Sequence, residues 1–123
     1  MLCREFQDGH SYIQIEKRFL LEEGEIPDSI EVPIYRIAQE AFENIAAHSG
    51  ADLVSISLTR KDSFIEFVIQ DNGQGFNVEE ILTRGTEGGL STMRERALLS
   101  GGLFLIESEA GKGTTLRVSW PFA

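Results

Sequence analysis

Arg36, Glu40, Asn44 and His48 recur at four-residue steps, a spacing that stacks their side chains along one edge of a helix. A carboxylate one turn from an amide oxygen is a poor way to build a core. It is a good way to hold a hydrated divalent cation and to orient a water or hydroxyl beside it. The same pattern fits a solvated helix flank, so residues further along must decide. A short apolar strand leads into Asp71, Asn72, Gly73, Gln74, Gly75 and Phe76; Gly88, Gly89 and Leu90 open a second helical stretch; Gly111, Lys112, Gly113, Thr114 and Thr115 come late in the chain.

The elements that must position these groups are visible in the apolar spacing. Ile34, Ile37, Ala38, Ala41, Phe42 and Ile45 repeat at three- and four-residue steps, which at 3.6 residues per turn makes one buried stripe. This helix is expected to start at Glu31 or Val32, with Pro33 tolerated in its first turn, and to end near Gly50. Before it, Ile13, Ile15 and Phe19 alternate with Gln14, Glu16 and Arg18, which predicts a half-buried strand over residues 11–20. Residues 22–28, with Gly24 and Pro27, predict a loop. Residues 53–59 and 65–69 alternate as two antiparallel strands around a turn at 60–62. Leu90, Met93, Ala97 and Leu98 predict a second helix stopped by Gly101 and Gly102. The last two strands are expected at 103–107 and 115–120, with Leu116, Val118 and Trp120 facing one way and Pro121 ending the second. This order predicts an α+β fold, a two-layer sandwich with helices on one face of a mixed, mostly antiparallel sheet. Residues 76–89 contain the least patterned interior stretch and are expected to form a mobile lid.

Composition bounds the function. With 123 residues the chain is expected to form one domain over residues 11–123, after a frayed lead-in at 1–10 from a linker. Its single cysteine, Cys3, excludes an internal disulfide framework and suits a reducing cytoplasm. No apolar run approaches the ~20 residues of a membrane span. The net charge of -9 argues against a nucleic-acid surface, which needs clustered Lys and Arg. An acidic chain can still hold nucleotide through backbone N–H groups, helix N-termini and Mg2+.

Taken in order, Q-E-A-F-E-N, D-N-G-Q-G-F, G-G-L-S-T-M-R-E-R and G-K-G-T-T resemble the ATP-binding domain of sensor histidine kinases, in the superfamily that includes gyrase B, MutL and the large heat-shock chaperones. Each motif alone is weak, but four in register are specific, and the resemblance covers residues 11–122. Q-E-A before Asn44, a His four residues after it and M-R-E-R look most like the group whose partners are regulators with a helix-turn-helix output domain.

The resemblance implies a Bergerat-type fold that binds Mg-ATP. Glu40 would be the catalytic carboxylate and Asn44 the Mg2+ ligand. Asp71 would accept a hydrogen bond from the adenine amino group, a role for which an acceptor-only carboxylate favours adenine over guanine. Gly73 and Gly75 would let backbone approach the base. Gly88 and Gly89 would let the chain fold over the triphosphate, Leu90 and Ser91 would offer helix N-terminal N–H groups to it, and His48, Thr114 and Thr115 would add contacts. Ala47 and Glu87 depart from the family pattern, which commonly has Lys and Gly there; His48, Arg84 or Lys112 could compensate. Arg94 and Arg96 suit a surface pair.

A histidine kinase of this kind phosphorylates a His on a separate dimerisation domain, and neither His10 nor His48 has the sequence setting of such a residue. The implied partners are therefore that phosphoacceptor domain and a response regulator, with no nucleic acid and no membrane contact. The implied location is cytoplasmic, and parent kinases are often anchored in the inner membrane. Two other functions stay open at this point: a docking module that regulates a partner without catalysis, suggested by Ala47 and Glu87, and a kinase acting on Ser or Thr of an anti-sigma-type partner, against which M-R-E-R argues.

Overall fold

Among the described residues, five strands and two helices follow one another as strand, helix, strand, strand, helix, strand, strand. The computed structural model describes residues 13–20, 26–45, 50–61, 63–74, 89–108 and 111–121. Strand β1 is Gln14–Leu20, helix α1 Asp28–Asn44, β2 Leu53–Arg60, β3 Phe64–Asp71, helix α2 Gly89–Leu99, β4 Leu103–Ser108 and β5 Thr114–Pro121. The strands form one sheet in the order β1-β2-β3-β5-β4. Only β1 and β2 pair in parallel; the other neighbours are antiparallel. A helical crossover is what parallel pairing of β1 and β2 demands, and α1 supplies it.

Both helices cover one face. In β2, β3 and β5 the buried residues alternate as Val54, Ile56 and Leu58, then Ile65, Phe67 and Ile69, then Leu116, Val118 and Trp120. They join Ile37, Ala41 and Phe42 of α1 and Met93 and Ala97 of α2 in a single cluster. Phe42 is 2% exposed, and its truncation to Ala would cost about 3–5 kcal/mol.

Helix α1 starts earlier than the expected Glu31 or Val32. Ile30, four residues before Ile34, is buried and extends the stripe by a turn. The Pro27 carbonyl accepts the N–H groups of Ile30 at 3.0 Å and Glu31 at 3.2 Å, which closes the first turn without a side-chain cap. Pro33 therefore lies inside the helix, where it removes the bond the Ser29 carbonyl would accept. At the other end Ile45 still donates to Ala41 and Phe42 carbonyls, and Gly50 takes the expected positive φ of 68°; residues 46–49 lie outside the described set.

Helix α2 stops where expected, by a specific mechanism. Gly101, at φ 86°, donates to the Leu98 carbonyl, and Gly102 donates to that of Ala97. This is a Schellman motif, with glycine in the left-handed position. The Ser100 hydroxyl lies 2.8 Å from the Arg96 carbonyl and 2.9 Å from that of Ala97, and the Trp120 indole N–H donates to Ser100 Oγ at 2.8 Å.

Two expected core positions are exposed. Phe19 is 40% exposed, because β1 is an edge strand and only Ile13 and Ile15 of its alternating set pack against the core. Leu98 is 53% exposed, since five residues from Met93 turns it well off the stripe that Met93 and Ala97 share. Among the described residues no helix is long and apolar enough to cross a membrane.

Candidate functional site

Core-facing alternation in β3 runs Ile65, Phe67, Ile69 and then, at the strand's end, Asp71. Asp71 is only 7% exposed. A carboxylate at a position built for an apolar side chain is costly unless it has work to do. Oδ1 accepts the Gly73 N–H at 2.8 Å. Burial pushes the Asp71 carboxyl above the ordinary aspartate range, and the Gly73 bond pulls it partly back.

The loop after Asp71 is clamped from two sides. Asn72 Oδ1 accepts the backbone N–H groups of Asp52 and Leu53, both at 3.1 Å, and its amide donates to Asp52 Oδ1 at 2.8 Å. Its own N–H donates to the Leu53 carbonyl, so Asn72 ties the end of β3 to the start of β2. From the other side, the Gly111 N–H donates to the Gln74 carbonyl. Gly113, at φ 81°, is so close to Asp71 that a Cβ there would collide with the Asp71 carbonyl. The D-N-G-Q and G-K-G-T motifs are thus in contact. Sequence reasoning assigned no role to Asn72.

Asp71 pairs with Thr114 across β3 and β5, and Thr114 pairs with Ser108 across β5 and β4. One carboxylate and two hydroxyls therefore stand in a row on the core-facing side of the sheet. Ser108 and Thr114 hydroxyls are 2.8 Å apart, and Ser108 Oγ donates to the Gly113 carbonyl at 3.1 Å. Thr115 pairs with Gln70, and alternation turns it to the opposite face of the sheet from Asp71. The expected contact from Thr115 therefore falls away. Ser108 was missed, although a hydroxyl closing the run Phe104, Ile106, Ser108 is the same signal that marks Asp71.

Glu40 and Asn44 lie one turn apart near the C-terminal end of α1, and both are half-buried. The chain leaves α1 and enters β2 at Leu53, beside Val54, the partner of Asp71. Topology therefore brings the last turn of α1 and the end of β3 to the same end of the sheet. Glu40 binds its proton more tightly than an ordinary glutamate, first through desolvation, then through a side-chain hydrogen bond to Glu43 and the charge of that group; Arg96, from the packed α2, opposes this. Arg36, in the same row, is exposed.

Gly89 is the first residue of α2, followed by Leu90 and Ser91. The opening N–H groups of a helix have no partner within it and attract anions. His48, Gly75, Gly88, Ala47, Arg84, Glu87 and the body of the expected lid lie outside the described residues. Among the described residues no group of three or more His, Cys, Asp or Glu could hold a metal.

The family described as histidine kinase-, DNA gyrase B-, and HSP90-like ATPase matches residues 29–123. The sensor protein VraS of Staphylococcus aureus (strain COL) is 42% identical over 101 residues, 82% of this chain and 28% of that protein. VraS of Staphylococcus epidermidis (strain ATCC 12228 / FDA PCI 1200) is 40% identical over the same shares. The chain thus spans 28% of the length of these relatives. Among solved structures, the histidine kinase domain of the Erythrobacter litoralis EL346 blue-light activated histidine kinase superposes with a TM-score of 0.77 at 15% identity, covering 98% of this chain and 57% of that one. The mycobacterial sensor histidine kinase MprB gives 0.71 at 20% identity, covering 97% and 88%. At these identities the structural matches establish the shared α+β fold.

Proposed function

Because the chain belongs to the histidine kinase-, DNA gyrase B-, and HSP90-like ATPase family, we propose that it is the ATP-binding catalytic module of a sensor histidine kinase, passing the γ-phosphoryl group to a histidine on a separate dimerisation domain. The observation that carries this reading is the buried Asp71, held by Gly73 and flanked by Thr114 at the end of an otherwise apolar row. An acceptor in that position matches the amino edge of adenine. The similarity to VraS supports a sensor kinase with a response regulator downstream.

Each residue has a task. Asp71 and Thr114 bind the base, and Gly73 and Gly75 carry no Cβ to obstruct it. The start of α2 at Gly89, Leu90 and Ser91, after Gly88, offers N–H groups to the phosphates. His48, four residues after Asn44 in the sequence, adds a contact to the phosphates. Glu40, whose affinity for a proton is raised, accepts a proton from the attacking group, directly or through one water. Mg2+ fits the donor set: among the described residues no three or more His, Cys, Asp or Glu gather to hold a metal, and the ion would be held by the Asn44 amide oxygen together with waters and phosphate oxygens, the arrangement it favours. Bound there, it would neutralise charge on the phosphates.

Calorimetric titration of the chain with ATP and a non-hydrolysable analogue, with and without Mg2+, tests the site. Binding that needs Mg2+ and is abolished in Asn44→Ala is expected; Mg2+-dependent binding retained in that variant removes the assignment. Adding the dimerisation domain with labelled ATP tests the transfer. Acid-labile label on histidine is expected, whereas acid-stable label points to Ser or Thr, and no label despite ATP binding points to a docking module.

A further inference from the structure

The geometry points to Ser108 as the residue that sets purine specificity in this site, by fixing which way the Thr114 hydroxyl points its hydrogen. This rests on the proposed role of Asp71 at the adenine amino group, and it concerns a residue that does not itself touch the base. Ser108 lies on β4, one strand further from Asp71 than Thr114.

A serine hydroxyl has one hydrogen to give and lone pairs to accept with. Ser108 directs its hydrogen to the Gly113 carbonyl at 3.1 Å. The hydrogen in the 2.8 Å contact between Ser108 Oγ and Thr114 Oγ1 is then supplied by Thr114. With its hydrogen spent on Ser108, Thr114 Oγ1 has only lone pairs left for its other neighbours. It stands beside Asp71, its partner across the β3–β5 ladder, whose ionised carboxylate also only accepts. This pair of side chains therefore presents two acceptors side by side.

That surface discriminates between purines. Adenine carries an amino group with two hydrogens on the edge where guanine carries a carbonyl oxygen. A row of acceptors satisfies the amino group and faces the guanine carbonyl with lone pairs. Without Ser108 the Thr114 hydroxyl is free to rotate and to donate to that carbonyl, so the pocket becomes tolerant. Discrimination of this kind grows from leaving a buried polar atom without a partner. Ser108 is in this sense a positioning residue for Thr114. The glycine at 113 is part of the device, because its carbonyl takes the Ser108 hydrogen while its missing Cβ lets the G-K-G turn lie against Asp71.

The test is the ratio of ATP to GTP affinity, measured calorimetrically on the 123-residue chain with Mg2+. Ser108→Ala is expected to narrow that ratio by roughly three- to tenfold, the worth of one hydrogen bond, while its thermal midpoint shows that the fold is kept. Ser108→Thr, which retains the hydroxyl, should hold the unsubstituted ratio. Thr114→Val should narrow it as Ser108→Ala does, and adding Ser108→Ala to Thr114→Val should change nothing more. An unchanged ratio in Ser108→Ala, or an equal narrowing with and without Thr114, overturns the role of Ser108 and leaves the nucleotide site standing. Failure of the unsubstituted chain to bind ATP at all would remove the proposed function and this inference together.

Discussion

Glu43 follows Glu40 by one turn of α1, which sets the two acidic side chains on one edge of the helix. Desolvation and Glu43 raise the pKa of Glu40, and Arg96 lowers it. The two neighbours should therefore shift its titration in opposite directions. Glu43→Gln is expected to move the Glu40 midpoint down and Arg96→Gln to move it up, read by carbon-13 NMR of the Glu40 carboxyl. If both substitutions leave that midpoint where it was, the cluster does not tune the base. In phosphotransfer the same shifts appear as an acid limb, because only ionised Glu40 can take a proton; that limb should extend to lower pH in Glu43→Gln. Glu40→Gln should slow transfer by about 10²–10⁴-fold while ATP still binds.

In its proposed role, Asp71 trades stability for recognition. Its folded pKa is raised by burial, so ionising this acid costs more in the folded chain than in the unfolded one. The sign follows: the contribution of this group is favourable below its unfolded pKa and is lost as pH rises through the raised folded value. Asp71→Asn should accordingly raise the thermal midpoint of the nucleotide-free chain near neutral pH, and that gain should vanish in acid, where Asp71 is already neutral. The same variant should lose its preference for ATP. Calorimetry at two pH values measures the first effect, and nucleotide titration the second. A midpoint that falls equally at both pH values would show that the charge is not what strains the site.

The two left-handed glycines of the G-K-G turn should differ sharply. Gly111, at φ 83°, has open space where a Cβ would go, whereas a Cβ on Gly113 would strike the Asp71 carbonyl. Gly111→Ala should cost about 1–2 kcal/mol, the penalty of a left-handed alanine. Gly113→Ala adds a backbone collision with no flexible partner to yield, so it should be the more destabilising variant and should weaken ATP binding by displacing Asp71. Equal chemical-denaturation midpoints for the two variants would contradict this.

Trp120 and Ser100 form a separable structural unit. The indole is 1% exposed and donates to Ser100 Oγ at 2.8 Å. Ser100→Ala should cost about 1–3 kcal/mol, since it leaves a buried donor without that acceptor. In a Trp120→Phe background the same change should cost much less. Gly102→Ala should also destabilise, because its Cβ would approach Trp120 Nε1 to 2.8 Å. Urea unfolding of the four-member cycle reads the coupling.

Much of this molecule was legible in order and spacing. The seven described elements, the antiparallel pairing of β2 with β3, the helical stop at Gly101 and the left-handed Gly50 all follow from apolar period and glycine placement. Pro33 misled the placement of the first turn of α1, because a proline looks like a helix start and the continuation of the stripe to Ile30 is the weaker local signal. Phe19 and Leu98 were misjudged for another reason: alternation shows which way a side chain points, but not whether another element arrives to cover it.

The sequence by itself determined the family, the strand and helix order, and the types of group available for chemistry, since these depend on local period and on motifs a few residues long. The tertiary structure decided which of those groups meet. Only strand pairing sets Asp71 beside Thr114 and Thr114 beside Ser108 while turning Thr115 away, and only helix packing brings the charge of Arg96 to bear on Glu40. The physical reason is common to both: register and packing join residues far apart in the chain, and a one-residue slip in register would exchange Thr114 for Thr115 without altering any local pattern.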